Sequence, residues 1–266
     1  MPAPDTAPPL PRLTMPTREV VARRNGCLAC PARAHTVCAP LATTAIDRVA
    51  LLKQPPRRLP AGTTIYAEQE RCGEYFTLLE GWVALTAALE DGRRVVLDYV
   101  LPGGFFGFQA NPVMPRPQSA LAVTAVGLCP LPRPGLEALI GADPAVAAYL
   151  SHLIAVHEAR AHDHLVNSTG RHARARLAHL LIELYFRQRH ELPYRPGEII
   201  DLPLSLALIG EAVGLTAVHV SRTLRGLREE GIVRLRRGRL LISNPEALVH
   251  ASGVEDRPLA DEAADA

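Results

Sequence analysis

From residue 58 to residue 131 the chain alternates between apolar and polar or small positions in short runs. Residues 82–89 and 94–100 read as strands, with turn signals at Glu80-Gly81 and Asp91-Gly92 between runs. Pro102-Gly-Gly-Phe-Phe-Gly107 breaks the alternation. Several short strands at close spacing predict a β-roll or jelly-roll barrel. A short helix ending near Leu51 precedes it. Beyond Pro132 the rhythm turns helical, with a short helix over 132–140 and a longer one over 143–166. Asp143 is placed to cap the longer helix, and Pro144 sits where the first turn tolerates proline. Along it Leu150, Ile154, His157, Ala161 and Leu165 form a continuous stripe, a candidate dimer seam or a face for the barrel. Another helix covers 171–190, carried by Leu177, Leu180, Leu181, Leu184 and Tyr185.

Residues 204–229 then give two short helices broken at Gly214, the second capped by Thr216. On the second helix Val220, Leu224 and Leu227 point inward, leaving Val218, Ser221, Arg222 and Arg225 on the opposite face. Two helices around a glycine turn, with an arginine-bearing outer stripe, form a helix-turn-helix reader of the DNA major groove. A small wing follows: residues 231–235, a turn at Arg237-Gly238, and residues 240–243.

Composition alters this picture at two places. The whole chain of 266 residues carries only +2, yet residues 217–239 hold seven arginines against Glu229 and Glu230. That local +5 lies where phosphates would be met. With 48% hydrophobic residues the chain can bury a real core. No apolar run reaches the roughly 18 residues of a membrane span, and no signal-peptide layout opens the chain. A cytoplasmic protein with no membrane partner is expected. The second place is cysteine: of five, Cys27, Cys30 and Cys38 crowd into twelve residues, with Cys72 and Cys129 apart. Crowding of this kind points to metal chemistry rather than disulfides. Six prolines in the first sixteen positions make residues 1–22 a disordered arm, and the acidic stretch 251–266 a disordered tail. No nucleophile elbow, carboxylate pair or phosphate loop supports an enzyme.

Several segments together resemble the CRP/FNR family of bacterial transcription regulators over residues 25–250. They are Leu79-Glu-Gly81, Leu101-Pro-Gly-Gly-Phe-Phe-Gly-Phe108, Arg171-His-Ala-Arg-Ala-Arg-Leu177, Ile209-Gly-Glu-Ala-Val-Gly-Leu-Thr216 and Val220-Ser-Arg-Thr-Leu224. The resemblance implies an α+β chain. A cysteine segment and β-roll sensor domain would span 23–142, a dimerisation helix 143–168, and a winged helix-turn-helix 169–250. It also implies a homodimer that binds palindromic double-stranded DNA and works with RNA polymerase. Thr216, Val218, His219, Ser221, Arg222, Arg225 and Arg237 would meet the DNA. The family's recognition helix carries a glutamate three residues before the serine of Ser-Arg; here that position is Val218. A site related to the family's TTGAT half-site, but altered at the glutamate-read pair, is expected.

Two sensor chemistries of the family bear on this chain. In the cyclic-AMP branch a Gly-Glu pair and an Arg-Ser pair grip the ligand; the positions here look like Gly107-Phe108 and Gln118-Ser119. Without that arginine the phosphate lacks a charge-assisted partner, which argues against a cyclic nucleotide. In the oxygen-sensing branch three N-terminal cysteines and one distant cysteine hold an iron–sulfur cluster. Cys27, Cys30 and Cys38 match the first three in kind, and Cys129 sits where the fourth belongs. Seven residues separate Cys30 from Cys38, a longer gap than the enteric type, resembling the alphaproteobacterial FNR/FixK-like group. The resemblance therefore implies a [4Fe–4S] cofactor and an oxygen- or redox-responsive regulator. The alternatives are the same DNA-binding scaffold sensing by thiol oxidation, by a small ligand in the roll, or by zinc on Cys27, Cys30, His35 and Cys38.

Overall fold

The computed structural model describes residues 26–254 and 259, apart from 31, 34, 35, 37, 42–44, 72 and 110–113. The proline-rich arm, His35 and Cys72 lie outside the described residues. The roll is built from β1 (Arg57–Leu59), β2 (Thr64–Tyr66), β3 (Glu74–Glu80), β4 (Val83–Ala88), β5 (Arg94–Val100), β6 (Phe105–Phe106), β7 (Ser119–Ala122) and β8 (Val126–Pro132). These strands form two four-stranded antiparallel sheets, in the orders β1-β8-β3-β6 and β2-β7-β4-β5. Their facing sides enclose Tyr66, Phe76, Leu78, Phe106 and Leu128, with the Phe76 and Phe106 rings stacked at 5.4 Å. Strand alternation puts Leu128 in this interior and Cys129 and Leu131 on the outer face.

That outer face is covered by helices. α1 (Ile46–Leu52), α2 (Arg133–Ala142) and the start of α3 (Pro144–Gly170) close a second core around Ile46, Val49, Leu136, Leu139 and Val146. Asp143 caps α3 as expected, its carboxylate accepting from Ala145 N at 3.0 Å, and Pro144 opens the helix. α3 has 27 residues, about 40 Å of helix, and continues to Gly170 rather than stopping near 166. Its helix–helix corner is turned by His172, which caps α4 (Ala173–Arg189).

The C-terminal unit surrounds α4, whose residues Leu177 to Phe186 are buried on every face. α5 (Leu206–Val213), α6 (Ala217–Glu229) and α7 (Pro245–Ser252) pack against it together with a three-stranded sheet, β10-β11-β9. The sheet adds β9 (Glu198–Asp201) to the expected wing strands β10 (Val233–Arg236) and β11 (Arg239–Ile242). β9 and α7 were not foreseen. The chain also stays packed beyond residue 251: Val254 and Leu259 are buried in this core, so the disordered tail expected from 251 starts too early. No single helix among the described residues is long and apolar enough to cross a membrane.

The two units share one interface. Trp82, Tyr99 and Leu101 of the roll belong to the same apolar cluster as Leu208 and Ile209 of α5. The Tyr99 hydroxyl donates to Leu208 O at 2.9 Å, and Arg94 forms a two-pronged pair with Glu211 at 2.8 and 3.1 Å.

Candidate functional site

The helix-turn-helix is fixed by two glycines. Gly214 ends α5 in the left-handed region, φ 66°, a conformation most side chains resist. Gly210 lies so close to the incoming turn that a Cβ would sit 2.3 Å from Leu215 O. The Thr216 hydroxyl accepts from His219 N at 3.2 Å and starts α6. Val220 and Leu227 are then buried and Leu224 partly so, whereas Thr216, Val218, His219, Ser221, Arg222 and Arg225 are exposed. All the recognition-helix residues expected to face DNA are therefore exposed to solvent. Val218 is 68% exposed, an unusual place for a valine that has only packing to offer. Arg225 is held by Glu229 at 3.2 Å in the free protein. The wing turn puts Arg237 and Gly238 at φ 51° and 72°, the two-residue turn that matches strand twist. Arg237 thus projects from the tip of the wing.

At the junction of roll, α3 and α4 sits a cluster that the sequence did not announce. Asp98 of β5 receives Arg160 of α3 and Arg187 of α4, each at 2.8 Å. Glu183 of α4 pairs with His164 Nε2 at 2.8 Å and with Arg187 at 3.1 Å. Burial pushes the Asp98 carboxyl up, but Arg187 and Arg160 hold it well below the carboxylate range. Burial opposes Glu183 too, yet His164 and Arg187 bring it to about 2, and Glu183 in turn raises His164 to about 9. Among the described residues Asp98, His164 and Glu183 are the one group of three metal-ligating side chains that close to within 4.8 Å. Arg160 and Arg187 already neutralise these carboxylates, so the group is an internal ion network rather than a metal centre.

Of the seam residues, Leu150 lies in the chain's own core with Leu136 and Val146, and is not available to a partner chain. His157 faces Phe108 at 5.7 Å and Asp98 at 3.9 Å within its own subunit. Helical spacing placed both on one stripe, but the inner edge of that stripe packs on the roll. Ile154 and Leu165 remain 51% and 60% exposed, with Ala161 between them. The expected seam narrows to these three.

Inside the roll, an arginine does stand near the position where none was expected. Arg116 is buried, donates to the carbonyls of Gly107 and Glu74, and stacks over Tyr66 with its guanidinium carbon 4.3 Å from the ring centre. Its charge-bearing fork is taken up by the roll itself.

The cysteines come together through a series of tight turns. Cys30 N donates to Cys27 O at 3.3 Å, Arg33 N to Cys30 O at 3.2 Å, and Leu41 N to Cys38 O at 3.3 Å. Each of these three cysteines thereby opens a turn. Cys129, in register with Thr77 of β3, is on the outer face of β8 and neighbours them. Burial pushes the Cys38 thiol up to about 11, and the neighbouring Cys129 and Cys27 push the same way. The Cys129 thiol is raised chiefly by burial, with Cys27 and Cys30 adding to it. All four sulfurs therefore share one electrostatic neighbourhood, and Cys27 and Cys38 belong to the same apolar cluster as Val49, Leu131, Leu136 and Leu150. Lys53, at the end of α1, is in the same place and was missed in the sequence: its ammonium neighbours Cys129, Cys27 and Cys38. Tyr149 of α3 borders Cys38 from the other side.

This donor set suits a polynuclear cluster. Four thiolates on separate irons is the usual set for [4Fe–4S]. His35, needed for the zinc alternative, is outside the described residues.

Comparison with known proteins agrees with both halves of this architecture. Residues 175–251 match the Crp-like helix-turn-helix domain, and residues 56–143 the cyclic nucleotide-binding domain. The chain is similar to the nitrogen fixation regulation protein FixK of Bradyrhizobium diazoefficiens, 28% identical over 87% of this chain and 98% of that one. It is 31% identical to the FixK of Rhizobium meliloti, over 70% of this chain and 82% of the relative. Among solved structures, FixK2 from Bradyrhizobium japonicum superposes with a TM-score of 0.66 at 27% identity, covering 74% of this chain and 96% of that one.

Proposed function

The chain belongs to the CRP/FNR family of transcription regulators, which are not enzymes, and on that premise we propose an oxygen- or redox-responsive member that binds palindromic DNA as a homodimer. Its cofactor is a [4Fe–4S] cluster on Cys27, Cys30, Cys38 and Cys129, and it acts in the cytoplasm with RNA polymerase. One observation carries the reading: Cys27, Cys30 and Cys38 of the N-terminal loop and Cys129 of β8 lie near one another, with Cys27 and Cys38 in the core that seats the base of α3.

Cys27, Cys30 and Cys38 of the loop and Cys129 of β8 would hold such a cluster, and bound there it would supply oxygen-labile iron–sulfur chemistry. The remaining work falls to the protein. Cys27 and Cys38 sit in the core that seats Val146 and Leu150, the first turns of α3. Further along the same rigid helix are Ile154, Ala161 and Leu165, the exposed stripe. Loosening the loop therefore loosens the seat of the helix that presents the dimer face, and two half-sites can be read only by a dimer. The match to a cyclic nucleotide-binding domain identifies the roll; with Arg116 committed to main-chain carbonyls, a phosphate finds no free guanidinium from that residue.

Operator affinity measured without oxygen, and again after exposure to air, tests this reading. Affinity should fall severalfold on exposure in the native chain. In a Cys129→Ser variant it should be low and indifferent to oxygen. An operator affinity that ignores oxygen in the native chain would end the proposal.

A further inference from the structure

The first turn of α6 presents Ala217 and Val218 to solvent. Val218 is 68% exposed and Ala217 is exposed beside it, while Leu215 and Leu224 pack against the apolar cluster that encloses Val220. That turn carries no acidic residue, although the helix dipole would favour a carboxylate there. A β-branched side chain also forms helix less readily than alanine. Val218 thus adds nothing to the core and costs the helix a little. Its place gives it another use. Ser221 and Arg222 follow three and four residues on, on the same helix face and also exposed. The seven arginines of residues 217–239 charge this surface for a phosphate backbone. In the major groove an apolar side chain has one base-specific partner, the C5 methyl group of a pyrimidine. Thymine carries that group and so does 5-methylcytosine; uracil and cytosine do not.

We propose that Val218, with Ala217 beside it, is a specificity-determining residue that reads a pyrimidine C5 methyl, so that the chain tells a methylated from an unmethylated pyrimidine at one position of each half-site. This role rests on DNA binding through α6, as read above, whatever the cofactor. Arg222 and Ser221 supply the polar contacts on the same face, and Val218 supplies a contact that only a methyl can answer. Burying one methyl-sized group multiplies affinity by about four, and two half-sites together by about fifteen.

The test uses the full chain isolated without oxygen and the palindrome that it selects from a randomised pool. Affinity is measured for duplexes in which deoxyuridine replaces thymine in both half-sites, one position at a time. The native chain should lose about fifteenfold at one position. Val218→Ala, which keeps the helix but shortens the side chain, should cut that loss to about threefold or less. With cytosine at the same position the native chain should bind weakly, and 5-methylcytosine should regain about the same methyl factor. Val218→Glu, whose carboxylate can accept from the cytosine amine, should prefer cytosine and gain nothing from its methyl. Indifference to deoxyuridine at every position would overturn the proposal and leave Val218 as a surface for something other than base edges. A methyl effect undiminished in Val218→Ala would overturn the assignment to Val218. A thymine effect with no 5-methylcytosine effect would overturn the claim that the methyl itself is read. A pool that yields no site at all would instead remove the DNA-binding reading on which the proposal rests.

Discussion

His164 Nε2 lies 2.8 Å from Glu183 Oε2, tying the connecting helix α3 to the central helix α4 of the DNA-binding unit. Through Arg187, which also binds Asp98, the same pair reaches the roll. Sensor, connecting helix and DNA-binding unit thus meet at a single ion network, facing Arg160 and His157 of α3.

This network predicts a pH dependence. His164 rises from 6.5 unfolded to about 9 folded, chiefly through Glu183, so its contribution is complete below pH 6.5 and is lost as pH climbs through 9. Glu183 falls from 4.5 to about 2, so its share is present above pH 4.5 and is lost on acidification toward 2. Thermal unfolding across pH 6–10 should show stability declining between 6.5 and 9, and His164→Gln should flatten that decline. Glu183→Gln should cost roughly 3 kcal/mol, as breaking a buried pair does. An unchanged slope in His164→Gln would show that the pair does not hold the units together.

The exposed stripe on α3 predicts a dimer seam. Ile154→Glu would bury a carboxylate between two chains and should shift the protein to monomer in sedimentation, with loss of operator binding. Leu150→Ala should behave differently. It opens a cavity in the chain's own core, costing about 2–5 kcal/mol of stability without directly touching the seam. A dimer retained by Ile154→Glu would mean that the stripe is covered some other way.

Recognition should divide by position along α6 and the wing. Arg222→Ala should lose roughly 1–3 kcal/mol and blur one base position, as removal of a bidentate guanine contact does. Arg237→Ala at the wing tip should weaken all sequences alike and reduce the salt dependence. Val218 offers no acceptor to a cytosine amine, so Val218→Glu should sharpen selection toward the family's half-site. Selection from a randomised palindrome checks all three. A native chain that already demands the full family half-site as strictly as Val218→Glu would refute the placing of α6.

What the sequence could reveal was whatever depends on local pattern. Gly214, Thr216 and the inward Val220 and Leu227 identified the reading head, because cap, turn and helical period are encoded within a few residues. α7 had its signals too, Asn244 as cap with Pro245 behind it and Gly253 at the end. β9 had weaker ones: four residues whose alternation gains meaning only when Ile200 meets Leu240 across β11. Long-range relations stayed hidden. Helical spacing put Leu150 and Ile154 on one stripe but could not say that the roll's helices cover the first and leave the second bare. Nor could it place Lys53 beside Cys129, 76 residues on, or bring Asp98, His164 and Glu183 from three elements to one point. Arg116 escaped because its partners are carbonyls of other strands.

The central claim is that four cysteines hold one cluster, and the most direct measurement is the iron, zinc and acid-labile sulfide content of protein isolated without oxygen. The native chain should be brown and contain about four irons and four sulfides per chain. Serine at Cys27, Cys30, Cys38 or Cys129 should abolish that content, whereas Cys72→Ser should leave it intact. Stoichiometric zinc with no sulfide, or native protein with neither metal, would contradict the account.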